Sequence, residues 1–321
     1  MFKKYLIVFL SSLAFTFSLS VNAVPLYRLT NTLEDFNAWA MNENGQISGW
    51  GRGDSLARLY TPGVGVENLP IIPGVAGSYG YTLNEKGQVS GQLSYRSSYW
   101  GETYEGFIFT PGVNDGVQLI NDRVSIGWSL SEEGVPSQNL GPLPDWTVGG
   151  RGVITAFSEN GYSAGYSYFN TRNSYGMAWL GDHAGNFSIV GLDLDTPQSQ
   201  AYGVNTSGVV VGRAVPDSGG IYAFAHIPDL GAVNLFDVTD PESRKGWQRF
   251  SSAQDITSDG TIVGWGVYSE NGYNSQISSF VLTPISSVPL PSAIPFFILG
   301  IFTLVGYKKL SKESVNMKFN C

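Results

Sequence analysis

Cysteine and histidine are nearly missing from this 321-residue chain, which has one cysteine, Cys321, and two histidines, His183 and His226. A single cysteine excludes a disulfide within these residues, so packing alone has to hold the fold. Two histidines exclude metal centres built on several imidazole ligands. His226 ends a predicted strand and His183 lies in a predicted turn, so the sequence predicts no metal site, no cofactor and no catalytic residue.

Charged residues are also scarce, at 14% of the chain, whereas glycine is abundant at 40 residues and aromatic residues make up 13%. No window sustains the 3.6-residue apolar period of an amphipathic helix, and Gly or Pro interrupts most stretches. Residues 24–287 contain 12 Lys and Arg against 25 Asp and Glu, a net charge of −13. The composition predicts a turn-rich all-β protein and argues against nucleic acid as a partner.

The most informative feature of the sequence is a nine-residue stretch, residues 41–49, of which four further copies begin at Leu83, Phe157, Val204 and Ile256. Each copy has Asn, Ser or Thr three residues before a Gly, which is the spacing of a type I β-turn. The Gly is expected to adopt a left-handed backbone conformation and return the chain to the ladder with a bulge. The predicted turn residues are Asn42 and Gly45, Asn84 and Gly87, Ser158 and Gly161, Asn205 and Gly208, and Thr257 and Gly260.

Strand patterns surround each copy of the turn. Alternating β-rich residues follow the turn Gly, and a second Gly four residues later leaves room for a close neighbour or a bend. A third apolar strand follows in every unit, and in three units it ends at Thr-Pro. The turn glycines are 42, 74, 47 and 52 residues apart, and three of these spacings fit or nearly fit a propeller blade.

The 74-residue gap holds either one long insertion or a decayed unit around residues 124–128. We favour the insertion because the segment lacks the Asn-x-x-Gly turn. The sequence therefore predicts a repeat-built β-propeller over residues 24–284, with five blades or, on the second alternative, six. Residues 25–30 alternate and lie outside any complete unit, so we expect them to complete the last blade and close the ring.

Both ends of the chain have targeting patterns. Lysines at positions 3 and 4, an apolar run over residues 5–17 and small or aliphatic residues at the cleavage positions 21–23 predict a signal peptide, residues 1–23, cleaved after Ala23. An uncleaved anchor is the alternative. Residues 290–307 are 18 residues without a charge, near the minimum of roughly 17 for a membrane-spanning helix. The lysines that follow predict a cytoplasmic end, residues 313–321, with the repeats on the outer side.

The C-terminal segment, residues 285–312, resembles a PEP-CTERM sorting signal in its Val-Pro-Leu-Pro form. The motif residues are Val288, Pro289, Leu290, Pro291, Lys308 and Lys309. The resemblance implies export through the secretion translocon and signal peptidase, recognition by an exosortase, and processing that releases or reattaches the protein at the envelope of a Gram-negative exopolysaccharide producer. Typical tails end in the basic cluster, whereas this chain continues to residue 321.

The repeats resemble the HAF-type extracellular repeat, Ala-x-x-Ile-Asn-x-x-Gly-x-Val-Val-Gly followed by Ala-Phe. Residues 201–212, with Ala223 and Phe224 after them, match this pattern best. The copy at Phe157 departs most, with Ser for Asn and Ser-Ala for Val-Val. No shared catalytic residues come with this family, so the resemblance implies a non-catalytic scaffold.

Aromatic residues concentrate in two predicted loops, which contain Tyr95, Tyr99, Trp100 and Tyr104, and Tyr162, Tyr166, Tyr168, Phe169 and Tyr175. They either cover the flanks of blades or stack on sugar rings of a matrix polysaccharide. For the second role we single out Tyr99 and Trp100 as glycan contacts.

Three functions follow from these patterns. The first is an exported, exosortase-sorted envelope or extracellular matrix protein that is not an enzyme, anchored in the membrane facing the periplasm before processing. The second is an adhesin that binds polysaccharide through the aromatic loops. The third is a glycan-active hydrolase, for which carboxylate pairs such as Glu102 with Glu105, or Asp193 with Asp195, would be needed.

Overall fold

The computed structural model describes residues 26–70, 72–97, 101–113, 116–120, 129–130, 136–137, 152–168, 176–191, 198–216, 219–270 and 275–285. All regular structure in these ranges is β-strand. None of the residues described forms a helix with the length and hydropathy needed to cross a bilayer. The predicted signal peptide, the sorting motif and the predicted membrane segment lie outside the described residues.

Antiparallel four-stranded sheets, five in number, account for most of the described chain. The N-terminal strand is β1 (Tyr27–Leu33). Blade 1 consists of β2 (Phe36–Met41), β3 (Ile47–Gly51), β4 (Ala57–Thr61) and β5 (Gly65–Asn68), and blade 2 of β6 (Gly77–Leu83), β7 (Val89–Ser97), β8 (Gly101–Phe109) and β9 (Val117–Ile120). A ribbon of β10 (Ser129–Leu130) and β11 (Pro136–Ser137) follows.

The second half of the chain repeats the same arrangement. Blade 3 consists of β12 (Gly152–Phe157), β13 (Ser163–Tyr168), β14 (Gly176–Gly181) and β15 (Phe187–Ile189), and blade 4 of β16 (Gln198–Val204), β17 (Val210–Val215), β18 (Tyr222–Ile227) and β19 (Gly231–Asn234). Blade 5 consists of β20 (Trp247–Ile256), β21 (Ile262–Tyr268), β22 (Gln276–Pro284) and β1. The copy at Phe157, which departs most from the repeat pattern, therefore forms a complete blade.

The ring closes through the N-terminal strand, as the sequence predicts. Strand β1 pairs antiparallel with β22, with Tyr27 opposite Pro284. The first strand of each blade is its inner strand. Inner strands of neighbouring blades contact each other, β2 with β6 and β20, and β16 with β12 and β20. This closure pairs the edge strand β22, whose free backbone groups could otherwise pair with another chain.

Over the part of the chain that the structure describes, the long gap between the second and third copies contains no sixth blade, and the fold is a five-bladed propeller. Within the described residues, the gap holds the two-stranded ribbon that directly follows residue 128. Its first strand, β10, lies against β6, where the other junctions have the inner strand of the next blade. The insertion, rather than a full decayed unit, is thus the correct alternative.

Core packing explains the second Gly of each repeat. In blades 2 to 5 this Gly lies opposite a large aromatic residue of the third strand, as Gly91 lies opposite Phe107 and Gly165 opposite Trp179. A Cβ at Gly91 would overlap the Phe107 ring and the carbonyl oxygen of Tyr79. Phe107 and Trp179 are almost fully buried, which stabilises the fold by about 1.5–3 kcal/mol for each ring.

Alternating strand directions give the propeller two different faces. The turns between first and second strands, and between third and fourth strands, lie on one face, which we name the turn face. Connections between second and third strands, and between blades, lie on the opposite face, the loop face. Because β22 ends at Pro284, beside Gly260, the described chain leaves the propeller on the turn face.

Candidate functional site

The repeated turns have the predicted geometry. In all five, the Gly N–H donates to the carbonyl oxygen of the first turn residue at 3.0 Å, as from Gly45 to Asn42. The five turn glycines have φ between +73° and +91°, in the left-handed region. The first turn residue also donates its N–H to the carbonyl oxygen of the residue after the Gly, as Asn42 does to Gln46 at 3.1 Å. This pairing forms the predicted bulge.

The first residue of the turn has a second role that the sequence did not reveal. The side-chain amide of Asn42 donates to the carbonyl oxygen of Asn84 in the next blade at 3.0 Å. Asn205 makes the same bond to Thr257 at 3.2 Å. Both asparagines are buried, so these two turn residues link neighbouring blades and have a structural role.

A bulge interrupts every inner strand at the third residue before the first turn residue. There the register of the inner strand shifts against the second strand in all five blades. The bulged residues are Trp39, Tyr81, Thr155, Tyr202 and Gln254. A bulge re-aims a side chain out of the regular ladder, so these positions place side chains of four different types at the inner edges of the five blades.

Four aromatic rings meet where blade 1 packs against blade 2, and we name them the inner-edge aromatic cluster: Trp39, Trp50, Tyr79 and Tyr81. The centroid of Trp50 lies 5.3 Å from Trp39, 5.5 Å from Tyr79 and 5.6 Å from Tyr81. Trp39 lies 5.5 Å from Tyr81. Each of the four residues is half-buried, so the cluster is braced by ring contacts and still reaches solvent.

The hydroxyl group of Tyr81 is held in the neutral form. Burial chiefly, together with the neighbouring Tyr79 and Tyr104, raises the pKa of Tyr81 to about 12. A neutral phenol both donates and accepts hydrogen bonds. The cluster therefore combines apolar ring faces with a polar group able to pair with a ligand hydroxyl.

A smaller aromatic group occupies the equivalent place between blades 3 and 4. Tyr166 packs edge-on to Tyr202 at 6.4 Å, and Arg213 lies over the Tyr202 ring at 5.9 Å. The hydroxyl of Tyr202 donates to Gln200 at 2.6 Å, and Gln200 also accepts from Arg213 at 2.8 Å. Aromatic and polar side chains thus recur along the inner edges of the blades.

Aligning the copies by position, rather than searching for aromatic-rich loops, would have drawn attention to the bulge position from sequence. The bulge position is Trp39 or Tyr81 in some blades but Thr155 or Gln254 in others. A position that accepts Thr and Gln is rarely a deep apolar site, but Gln254 itself is buried. The sequence therefore marks this position as variable, and the structure shows that the residues Trp39 and Tyr81 are only half-buried.

The predicted glycan contacts Tyr99 and Trp100 lie outside the described residues, between the ends of β7 and β8. Tyr95 and Tyr104 were wrongly assigned to a loop, because β7 and β8 extend as a paired hairpin to Ser97 and Gly101. Alternating polar and aromatic residues favour this longer ladder. Tyr166 and Tyr168 likewise belong to strand β13.

The remaining polar candidates have ordinary surroundings. His226 belongs to strand β18, and His183 sits in a turn with its ring 5.9 Å from Tyr162. Glu105 pairs with the hydroxyl of Tyr95, whose pKa is raised chiefly by burial and also by this carboxylate. Asp193 and Asp195 lie outside the described residues. Across the ranges described, no three His, Cys, Asp or Glu side chains converge as a metal site.

Comparisons with known proteins concern the fold. No protein-family model matches the chain, and no curated protein matches its sequence. Among solved structures, a glucose dehydrogenase is 9% identical with a TM-score of 0.37, covering 82% of this chain and 100% of that one. The PQQ-bound aldose sugar dehydrogenase from Streptomyces coelicolor is 10% identical with a TM-score of 0.41, covering 81% of this chain and 98% of that one.

A streptogramin B lyase is a third similar structure, 11% identical with a TM-score of 0.30, covering 80% of this chain and 96% of that one. These structures are enzymes, and they correct the prediction that this chain is not an enzyme. A non-catalytic role cannot be read from the repeats, because catalysis and scaffolding use the same type of fold. At these identities the likeness concerns the fold alone.

Proposed function

We propose that this protein is exported to the cell envelope or extracellular matrix and binds polysaccharide there through the inner-edge aromatic cluster. The observation that carries the proposal is the cluster of half-buried rings of Trp39, Trp50, Tyr79 and Tyr81. Indole and phenol rings offer flat apolar faces for the C–H groups of a sugar. Their N–H and O–H groups pair with its hydroxyls.

The position of the cluster supports glycan binding better than a purely structural role. Rings that only fill the core are almost fully buried here, as Phe107 and Trp179 are. The cluster rings are braced against each other across two blades, so little side-chain freedom would be lost when a ligand binds. The described chain leaves the propeller on the turn face, away from the loop-face end at which strand β3 finishes.

Export and sorting rest on the two ends of the sequence. The signal pattern of residues 1–23 implies the secretion translocon and signal peptidase as partners. The C-terminal sequence has Pro289 and Pro291 before an apolar segment and Lys308 after it, and this sequence of features supports processing by an exosortase. Before processing, the apolar segment would hold the protein in the membrane with the propeller facing the periplasm.

Retention on native exopolysaccharide tests the binding proposal. The full chain is mixed with matrix polysaccharide purified from the producing cells, and the fraction that sediments with it is measured. Trp50→Ala is expected to weaken binding to the polysaccharide by roughly thirty- to a hundred-and-fifty-fold, because a hot-spot ring contributes about 2–3 kcal/mol. A double variant, Tyr99→Ala with Trp100→Ala, is the comparison. If the double variant no longer sediments with the polysaccharide while Trp50→Ala still does, the binding site lies between β7 and β8 and the cluster is rejected as the site.

Intact-mass analysis tests sorting. Protein from wild-type cells is compared with protein from cells that lack the exosortase. We expect loss of the C-terminal segment near Pro291 only in the wild type. Identical C-termini in both strains would reject sorting without affecting the binding proposal.

A further inference from the structure

Two arginines flank the connection between β3 and β4, and their surroundings differ. The Arg58 guanidinium donates to Asp54 at 2.7 Å, to Asp35 at 3.3 Å and to the amide oxygen of Asn68 at 2.9 Å. Arg52 makes one side-chain hydrogen bond, from Nη2 to the amide oxygen of Asn37 at 2.7 Å. Among the described residues, no carboxylate lies within ion-pair distance of Arg52.

The environment of Arg52 is also partly dry. Its Nε is buried and has no hydrogen-bond partner among the residues that the structure describes. Burial lowers the pKa of the guanidinium, with Asp35 acting weakly in the opposite direction. A half-buried cation without a paired anion is unfavourable in the free protein, and a ligand anion would relieve that cost.

Arg52 belongs to the same side of blade 1 as the inner-edge aromatic cluster. Asn37 lies opposite Trp50 in the β2–β3 ladder, and directly opposed residues have their side chains on one face of a sheet. Arg52 is the first residue after β3, in the connection to β4. Its hydrogen bond to Asn37 holds its guanidinium on the side of the sheet that Asn37 and Trp50 share. The cation therefore stands beside Trp50 at the loop-face end of the cluster.

We propose that the polysaccharide bound by the cluster contains uronic acid, with the sugar ring against Trp50 and its carboxylate on the guanidinium of Arg52. This inference rests on the proposed function and specifies its ligand class. The planar guanidinium suits a carboxylate because it can donate two parallel hydrogen bonds. The net negative charge of the chain does not prevent binding of an anionic polymer, because the contact is local and electrostatic repulsion is screened over about 8 Å at physiological salt.

Two polymers with the same sugar backbone provide the test: polygalacturonate, which carries carboxylates, and its fully methyl-esterified form, which is uncharged. Binding of the full chain to each is measured by affinity gel electrophoresis. We expect polygalacturonate to bind roughly ten to a hundredfold more tightly, the value of a hydrogen-bonded charge pair. Arg52→Gln should bring its affinity down to that of the ester. Arg58→Gln is the matched control and should keep the preference.

Equal affinity of the wild type for both polymers, or an unchanged preference in Arg52→Gln, would overturn the inference and leave the proposed function standing. Absence of binding to these polymers and to native exopolysaccharide would reject the proposed function itself. Dextran sulfate is a third probe: if it binds as tightly as polygalacturonate and loses affinity in Arg52→Gln, the site accepts any anionic sugar and the uronic acid assignment is wrong.

Discussion

The turn face and the loop face of this propeller are built from the same repeats and yet follow different rules. On the turn face, five turns share one hydrogen-bond length, 3.0 Å, and one left-handed glycine conformation. On the loop face, connections between blades range from residues 34–35 to residues 121–151. The repeat constrains the face on which blades are linked, and it leaves the other face free to vary.

The inner edges of the blades lie between these extremes. Their backbone is constant, with a bulge at the same position in every blade, but the bulged side chain varies from Trp39 to Thr155 and Gln254. A constant backbone with variable side chains is typical of binding sites on rigid frameworks. The difference between the faces therefore separates residues that build the fold from residues available for function.

The largest effect is expected at the second Gly of a repeat. A Cβ at Gly212 would overlap the carbonyl oxygen of Gln200 in the inner strand. Gly212→Ala should lower the free energy of unfolding by about 3 kcal/mol or prevent folding, as measured by urea denaturation. Gly53→Ala, on the loop face with open space around it, should change stability by less than about 0.5 kcal/mol. If Gly212→Ala and Gly53→Ala lowered the free energy of unfolding equally, strand glycines and loop-face glycines would not differ in how strongly the fold constrains them.

A smaller loss is expected when a turn-face link is removed. Asn205 accepts the N–H groups of Ser207 and Val209 at 3.0 Å and donates to Thr257 of blade 5 at 3.2 Å. Asn205→Ala should cost about 2 kcal/mol, because buried groups lose their partners. Ser207→Ala, in the same turn but exposed, serves as the control. Similar unfolding midpoints for the two variants would show that the link between blades adds no stability.

The junction between blades 5 and 1 is expected to respond to pH. The Asp255 carboxylate accepts the N–H groups of Met41 at 2.9 Å and Ile256 at 2.8 Å. Burial raises its pKa to about 7, and the charge of Glu43 adds to the rise. The folded state then binds more protons than the unfolded state between about pH 4 and pH 7, so stability falls as pH rises through that window.

Asp255→Asn tests this directly, because it removes the titrating group and keeps an amide oxygen as acceptor. Urea denaturation at pH 5 and pH 8 should show a smaller loss of stability toward pH 8 in the variant than in the wild type. Parallel pH profiles would mean that the carboxylate is already ionised at little cost in the folded protein.

The smallest effect is expected for an exposed ring on the turn face, away from the inner-edge aromatic cluster. Phe157 precedes the turn of blade 3 and is 46% exposed. Phe157→Ala should leave polysaccharide retention unchanged and alter the free energy of unfolding by about 0.5 kcal/mol. A loss of retention comparable to that of Trp50→Ala would place glycan contacts on the turn face and break the comparison.

Much of the architecture could be predicted because local chemistry determines it. The left-handed conformation of Gly45 and its equivalents, the third strands and the closing strand β1 all follow from turn spacing and alternation. Strands β5, β9 and β15 were missed because they are short and contain no buried residue. They form through pairing with a neighbour rather than through a sequence pattern.

The candidate site was harder to predict for a related reason. Bulges at Trp39 and Tyr81 lie where inner strands of neighbouring blades contact each other, and no single copy of the repeat encodes that contact. The amide of Asn42 reaches a carbonyl in the next blade, which is likewise invisible within one unit. Residues 98–100, which include the two predicted glycan contacts, lie outside the described residues, so that part of the prediction stays a prediction.

Hydrogen–deuterium exchange of the full chain, with and without native exopolysaccharide, tests the separation of faces most directly. The account predicts slower exchange in β2, β3 and β6, which contain the inner-edge aromatic cluster, and no change in the turns at residues 61–65 and 110–116. Protection of those turns without protection of β2, β3 and β6 would contradict it.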